Sequence, residues 1–245
     1  MTDTNDDIYD PKFVAELFDR CSSNYRRWSA VSSFGFTIIW RHQCVARLNA
    51  PATSGAIAVD LMAGTGEVWP HLLRKIPTLH TITALDISHR MHTEAVDRLH
   101  NKYANKITHQ EIDALQTDLP KNYADIVVST FGLKTFNKDQ QSILASQIAR
   151  ILKPGGSFSM IEASDPKGWV LRPFYRFYLD RLLPKIEQYF LKGANDFSMI
   201  GTYTLNFGNS THMASALREA GLSVTLKKHF FGCATSVAGY KPEEL

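Results

Sequence analysis

The sequence predicts an α/β protein, a doubly wound and mostly parallel sheet, and three observations predict it. Short apolar runs alternate with segments of helical spacing from residue 56 to residue 161, the pattern of βαβ units. The first run passes directly through a glycine-bearing turn into a helix, in "AVDLMAGTGEVW", Ala58 to Trp69. And 245 residues with 44% hydrophobic and 21% charged content supply one large core.

Taken in order, Pro11 opens a helix with Phe13, Val14, Leu17 and Phe18 on one face, residues 1 to 12 being read as disordered. A second helix spans Phe34 to Leu48. Strand Ala56 to Asp60, a helix from Glu67, strand Thr81 to Asp86, helix Ser88 to Tyr103 and strand Thr108 to Ile112 follow. Strand Ala124 to Thr130, helix Lys138 to Leu152 and, after "KPGG", strand Ser157 to Ile161 continue the alternation. Helix Thr211 to Ala220 and a hairpin, Leu222 to His229 and Ala234 to Tyr240 around "FFGC", end it. Asp165 to Gly208 breaks the pattern with 10 aromatics in 44 residues, about 23% against 11% overall, and reads as a helical lid insertion. The expected organisation is therefore an N-terminal helical segment, 1–50, and an α/β domain, 51–245, carrying the lid at 165–208.

A net charge of +3 with no basic run longer than two residues argues against a nucleic-acid partner. Cys21, Cys44 and Cys233 make neither a disulfide framework nor a zinc knuckle, which fits a reducing cytoplasmic setting. No apolar run approaches the roughly 18 residues that span a bilayer, while a peripheral membrane contact and a homodimer stay open. His89 and His92 lack a third ligand at a matching offset and read as surface histidines; no metal is expected.

In "DLMAGTG", Gly64 and Gly66 let the backbone approach a ligand, and Asp60 stands at the mouth. The spacing is not that of a dinucleotide-binding turn, and a carboxylate there suits an amino group better than a phosphate. Asp86, 20 residues beyond Gly66, can accept two hydrogen bonds from ribose hydroxyls, and Asp113 in "EIDAL" can take an adenine amino group. S-adenosylmethionine carries all three groups.

The chain resembles the class I S-adenosylmethionine-dependent methyltransferases, of Rossmann-like fold. More narrowly it is similar to the ubiquinone/menaquinone biosynthesis C-methyltransferases, on "LFDRCSSNY", "SSFGFTIIW", "VDLMAGTGE", "LDISHRM", "STFGLKTFNKD", "ILKPGGSFSMIEASDP" and the terminal "AGYK". The resemblance implies a seven-stranded sheet with an antiparallel last strand, and donor contacts at Asp60, Met62, Ala63, Gly64, Gly66, Asp86, Ile87, Met91, Asp113, Ala114 and Thr130. It implies a small aromatic or quinonoid acceptor, methylated at carbon.

Acceptor-side positions depart from the family pattern. Arg26 replaces an aspartate, Thr37-Ile38 a His-Arg pair, Lys134-Thr135 an Arg-Asn pair, and Asp196 to Ile200 a segment with two tyrosines. These changes keep open an oxygen or nitrogen acceptor, or donor binding without transfer. A nicotinamide-dependent reductase is the third reading, weakened by the missing third glycine.

A phenol or quinol must ionise to become nucleophilic. Lys134 is the chosen cation; His212, Glu162, and Tyr25 or Tyr203 as relays, are the candidate bases. Trp28, Phe34, Phe174, Phe177 and Phe197 are the candidate apolar lining.

Overall fold

The computed structural model describes residues 7–51, 55–103, 105–190 and 198–243. Seven strands form one sheet in the order β3-β2-β1-β4-β5-β7-β6: β1 (Ile57–Leu61), β2 (Thr81–Asp86), β3 (Ile107–Glu111), β4 (Ala124–Thr130), β5 (Leu152–Ala163), β6 (Ser223–His229) and β7 (Ala234–Tyr240). The first five are parallel, and β7 lies antiparallel between β5 and β6.

Strands β1, β2 and β4 are buried almost end to end because helices cover both faces. Alternate side chains feed separate cores. Val59, Leu61 and Val127 pack under α5 (Lys138–Ile151) and α9 (Thr211–Glu219). Ala58, Ile126 and Val128 meet α2 (Phe36–Ala46), α3 (Trp69–Lys75) and α4 (His89–Tyr103). At about 1.5–3 kcal/mol for each large apolar side chain fully buried, this two-sided burial fixes the strand register and so the positions of the strand ends.

Helix α1 (Pro11–Ser32) starts where Asp10 accepts from the Lys12 and Phe13 N–H groups, with Pro11 in the first turn. It buries Val14, Leu17, Cys21, Tyr25 and Trp28, a three-and-four spacing. The expected disorder before it is corrected in part. Asp7–Tyr9 form a 3-10 turn whose Ile8 carbonyl accepts from the Tyr203 hydroxyl, and Gln140 Nε2 donates to the Tyr9 carbonyl at 2.9 Å; residues 1–6 lie outside the described residues.

The insertion is helical: α6 (Arg172–Phe177), a π-helical turn at Tyr178–Leu182, α7 (Leu183–Phe190) and α8 (Ser198–Phe207). Leu179, Leu183 and Tyr203 join Leu17, Cys21, Trp28 and Met91 in a third core, so α1 and the insertion pack as one layer above the sheet ends. Among the described residues no helix is long and apolar enough to cross a membrane.

Candidate active site

At the carboxyl ends of β1, β2 and β4 the chain leaves a cleft of about 810 Å³ including its mouth. Met62, Ala63, Gly64, Asp86, Ile87, Met91, Asp113, Ala114 and Thr130 line it, nine of the eleven positions expected to hold the donor. Asp86 is held from two sides: Oδ2 accepts from Gly64 N–H at 2.7 Å and Oδ1 from Ser88 N–H at 2.9 Å. Burial pushes its carboxyl up, opposed by those two N–H groups, which favour the ionised form. Asp113 caps a 3-10 turn by accepting from Leu115 N–H at 2.9 Å, which fixes its carboxylate in the cleft wall.

The two remaining positions do other work, and this corrects the reading of the turn. Asp60 is 1% exposed and does not line the cleft; its Oδ2 accepts from the Trp69 indole N–H at 2.8 Å and its Oδ1 is buried without a partner. Burial pushes its pKa up to about 8, so the neutral acid prevails at pH 7. Trp69, the first residue of α3, is the cause: it fills the space under the turn. Gly66, at φ +76°, makes room for it, since a Cβ there would stand 2.6 Å from the indole ring. Gly64, at φ +55°, faces open space instead.

A second cavity, about 1160 Å³ and mostly apolar, opens beside the first, between the ends of α1 and α2, α6, the π turn and the β6–β7 turn. Tyr25 and Phe131 line both cavities. Phe131, at the end of β4, holds φ +68°, and Met62, at the end of β1, holds φ +54°. Of these two strained side-chain-bearing residues, Phe131 stands where the cavities join and Met62 lines the first. The turns carrying them are in tight contact, because a Cβ on Gly132 would lie 2.6 Å from Met62 Cβ.

Lys134 lines the apolar cavity but is 3% exposed, which rules out a solvated loop lysine. Its Nζ donates to the Phe131 carbonyl at 2.7 Å and to Glu162 Oε1 at 2.9 Å. Glu162, fully buried at the end of β5, also accepts from the Lys134 and Ala163 N–H groups. An ammonium has three protons, so one is left for a ligand. Tyr25 projects from α1, and burial drives its phenol upward, so it enters the site as a neutral hydroxyl that donates and does not act as a phenolate.

The structure does not bring the other candidates to this place. His212 opens α9 with Nε2 on the Lys138 carbonyl at 2.9 Å, lining a separate recess with Asn137 and Gln141, because α9 packs on the outer side of α5. Tyr203 is buried under Ile8, and Trp28 lies in the α1 core. Phe34 and Phe174 line the apolar cavity, Phe177 stands outside it, and Phe197 lies outside the described residues. His89 faces Glu111 and His92 faces His109, two separate contacts.

One residue of the donor cleft escaped the motif reading. Arg41, 5% exposed, lies over the Phe131 ring at 5.0 Å, and its guanidinium approaches Glu67 Oε2 at 3.8 Å. It follows Trp40 directly, one position past the quoted "SSFGFTIIW".

The model of the ubiE/COQ5 methyltransferase family matches residues 1–241. The chain belongs to that family. It is a methyltransferase that takes its methyl group from S-adenosylmethionine. Relatives include the demethylmenaquinone methyltransferases of Anoxybacillus flavithermus, 26% identical over 94% of this chain and 96% of that one, and of Geobacillus kaustophilus, 27% identical over 93% and 96%. Among solved structures, a Haloferax volcanii methyltransferase in complex with its Trm112 activator superposes with TM-score 0.64 at 17% identity, covering 92% of this chain and 98% of that one. Human N-acetylserotonin methyltransferase, in complex with its methyl donor, superposes with TM-score 0.58 at 20% identity over 90% and 58%. At these identities the structures speak for the fold alone, and it is the expected seven-stranded one.

Proposed function

We propose that the enzyme methylates a ring carbon of a quinol acceptor; its relatives are named demethylmenaquinone methyltransferases. The observation that carries this is the shared wall: a polar cleft and an apolar cavity meet across Tyr25 and Phe131. A sulfonium in the first can point its methyl group at a flat ring in the second.

In this reading Asp86 takes the ribose hydroxyls, Asp113 the adenine edge, and the Met62–Gly64 turn the methionine portion. The Lys134 ammonium and the Tyr25 hydroxyl face the acceptor oxygen and favour its ionised form. The ring carbon beside that oxygen then attacks the methyl group in line. The carbon–carbon bond forms as the methyl–sulfur bond breaks, and the bonding pair goes to sulfur, leaving a neutral thioether. The ring-carbon proton would then pass to water, which carries away the one proton released overall, and aromaticity returns. Segments 1–50 and 165–208 form the acceptor half, and the strand ends form the donor half. Buried thiols at Cys21, Cys44 and Cys233 suit a cytoplasmic setting.

The test combines calorimetry with S-adenosylhomocysteine and product analysis with a short-chain naphthoquinol. Wild type binds saturably, and Asp86→Ala binds about tenfold more weakly or worse, because two donated hydrogen bonds to a carboxylate are lost. The product carries its new methyl group on carbon. An O-methyl ether, or donor binding without turnover, overturns the carbon assignment.

A further inference from the structure

The apolar cavity opens through a rim that a water-soluble protein ordinarily hides. Val170 is 87%, Phe34 78% and Phe174 72% exposed, and Phe177, Phe230 and Phe231 are exposed as well. Ring contacts join three chain segments into one crescent around the mouth: Phe36 on Phe230 at 4.4 Å, Trp169 stacked on Phe231 at 5.3 Å, and Phe34 on Tyr178 at 5.5 Å. Phe34, Phe230 and Phe231 hold φ values of +50°, +42° and +56°. A backbone strained to present phenylalanines outward, at two turns around one opening, marks a functional surface.

Charge identifies the partner. The insertion, 165–208, carries six lysines and arginines against four acids, a net +2, with Arg172 paired to Asp165 and Arg176 near Asp180. Lys227 and Lys228 lead into Phe230 on the same rim, and Lys167, Arg176, Arg181 and Lys185 are exposed. Exposed aromatics flanked by lysine and arginine are the signature of an anionic lipid surface, where rings enter the interface and cations meet headgroups.

We infer that this crescent docks the enzyme on an anionic bilayer, with the mouth of the apolar cavity pressed against the lipid so that an acceptor enters without crossing water. The inference rests on the reading of that cavity as the site of a lipid-soluble quinol.

The full chain is floated with vesicles of phosphatidylcholine alone and of phosphatidylcholine and phosphatidylglycerol in equal parts. It binds the anionic vesicles about tenfold more tightly than the neutral ones, and salt releases it. The triple variant Val170→Ser, Phe177→Ser, Phe231→Ser, at exposed positions outside both cavities, loses about tenfold in vesicle binding. Its affinity for S-adenosylhomocysteine stays that of wild type, which shows that the fold is intact. A variant that floats like wild type, or a wild type that does not float, overturns docking. Self-association through these residues without vesicle binding gives the surface to a second copy and likewise overturns it. Vesicle binding by a chain that takes no S-adenosylhomocysteine overturns the donor-cleft assignment and the delivery role, whereas donor binding without flotation overturns docking alone.

Discussion

The polar cleft and the apolar cavity, which we propose as the donor and acceptor halves, are built on opposite plans. In the donor cleft the side chains that matter sit at strand ends and are held by backbone groups within two dozen residues: Asp86 by Gly64 and Ser88, Asp113 by Leu115. In the apolar cavity the walls come from α1 and α2 and, more than a hundred residues further along the chain, from the insertion and the β6–β7 turn. A parallel sheet sets the strand-end part of the first site by register, with Tyr25 of α1 and Arg41 of α2 closing over it, while the second depends throughout on long-range packing. The first therefore tolerates sequence drift around a few fixed residues, and the second can be re-lined for a new acceptor.

The largest expected effect tests whether the acceptor half has one rigid element of its own. Lys134→Met leaves Glu162 buried and uncompensated and destabilises by about 3–5 kcal/mol in urea unfolding. Lys134→Met with Glu162→Met recovers most of that loss and still does not turn over, since the cation facing the acceptor is gone. If the single variant is as stable as wild type, the pair is not structural and the contrast between the halves weakens.

Next, Gly66→Ala sharpens the donor side. An alanine at φ +76° with its methyl group against the Trp69 ring costs about 3 kcal/mol and lowers Tm by roughly 10 °C. Gly64→Ala, in open space at a milder φ, costs less stability but weakens S-adenosylhomocysteine binding. Equal effects at the two glycines would erase the distinction between packing and approach.

The smallest effect concerns Asp60. Its folded pKa, about 8, is raised above its unfolded value, so its stabilising contribution is full at low pH and is lost as pH rises through the folded value. From about pH 6 to about pH 8 wild type loses about 2 kcal/mol from this group, and Asp60→Asn, which cannot ionise, does not. Thermal melts across that range read the difference. Calorimetry of Asp60→Asn with S-adenosylhomocysteine stays within about threefold of wild type; a larger drop returns Asp60 to the donor site.

What could be read from the sequence follows the same division. Strand ends and the glycine turn are local, so the sheet and the gathering of nine named positions around one cleft were legible. Asp60 was misread because Trp69, nine residues on and hidden as an ordinary apolar position, takes its carboxyl group. Arg41 was missed since an arginine on a helix gives no sign of folding back over Phe131. His212 was overvalued because helical spacing does not say which side of α5 the helix α9 will pack on. The insertion announced itself by aromatic content, but which of its rings face the cavity is settled by the π turn and by contacts with α1.

The place of β7 carries a consequence for how the molecule forms. Residues 234–240 slot between β5 and β6, Gly239 passes so near Ser223 that a Cβ would sit 1.7 Å from its carbonyl oxygen, and Lys241 Nζ then reaches Asn122, Ala149 and Leu152. During synthesis the first five strands can assemble while the β5 edge stays open, a row of unpaired amides on an apolar sheet. The strand that shields it, β7, is made only after β6.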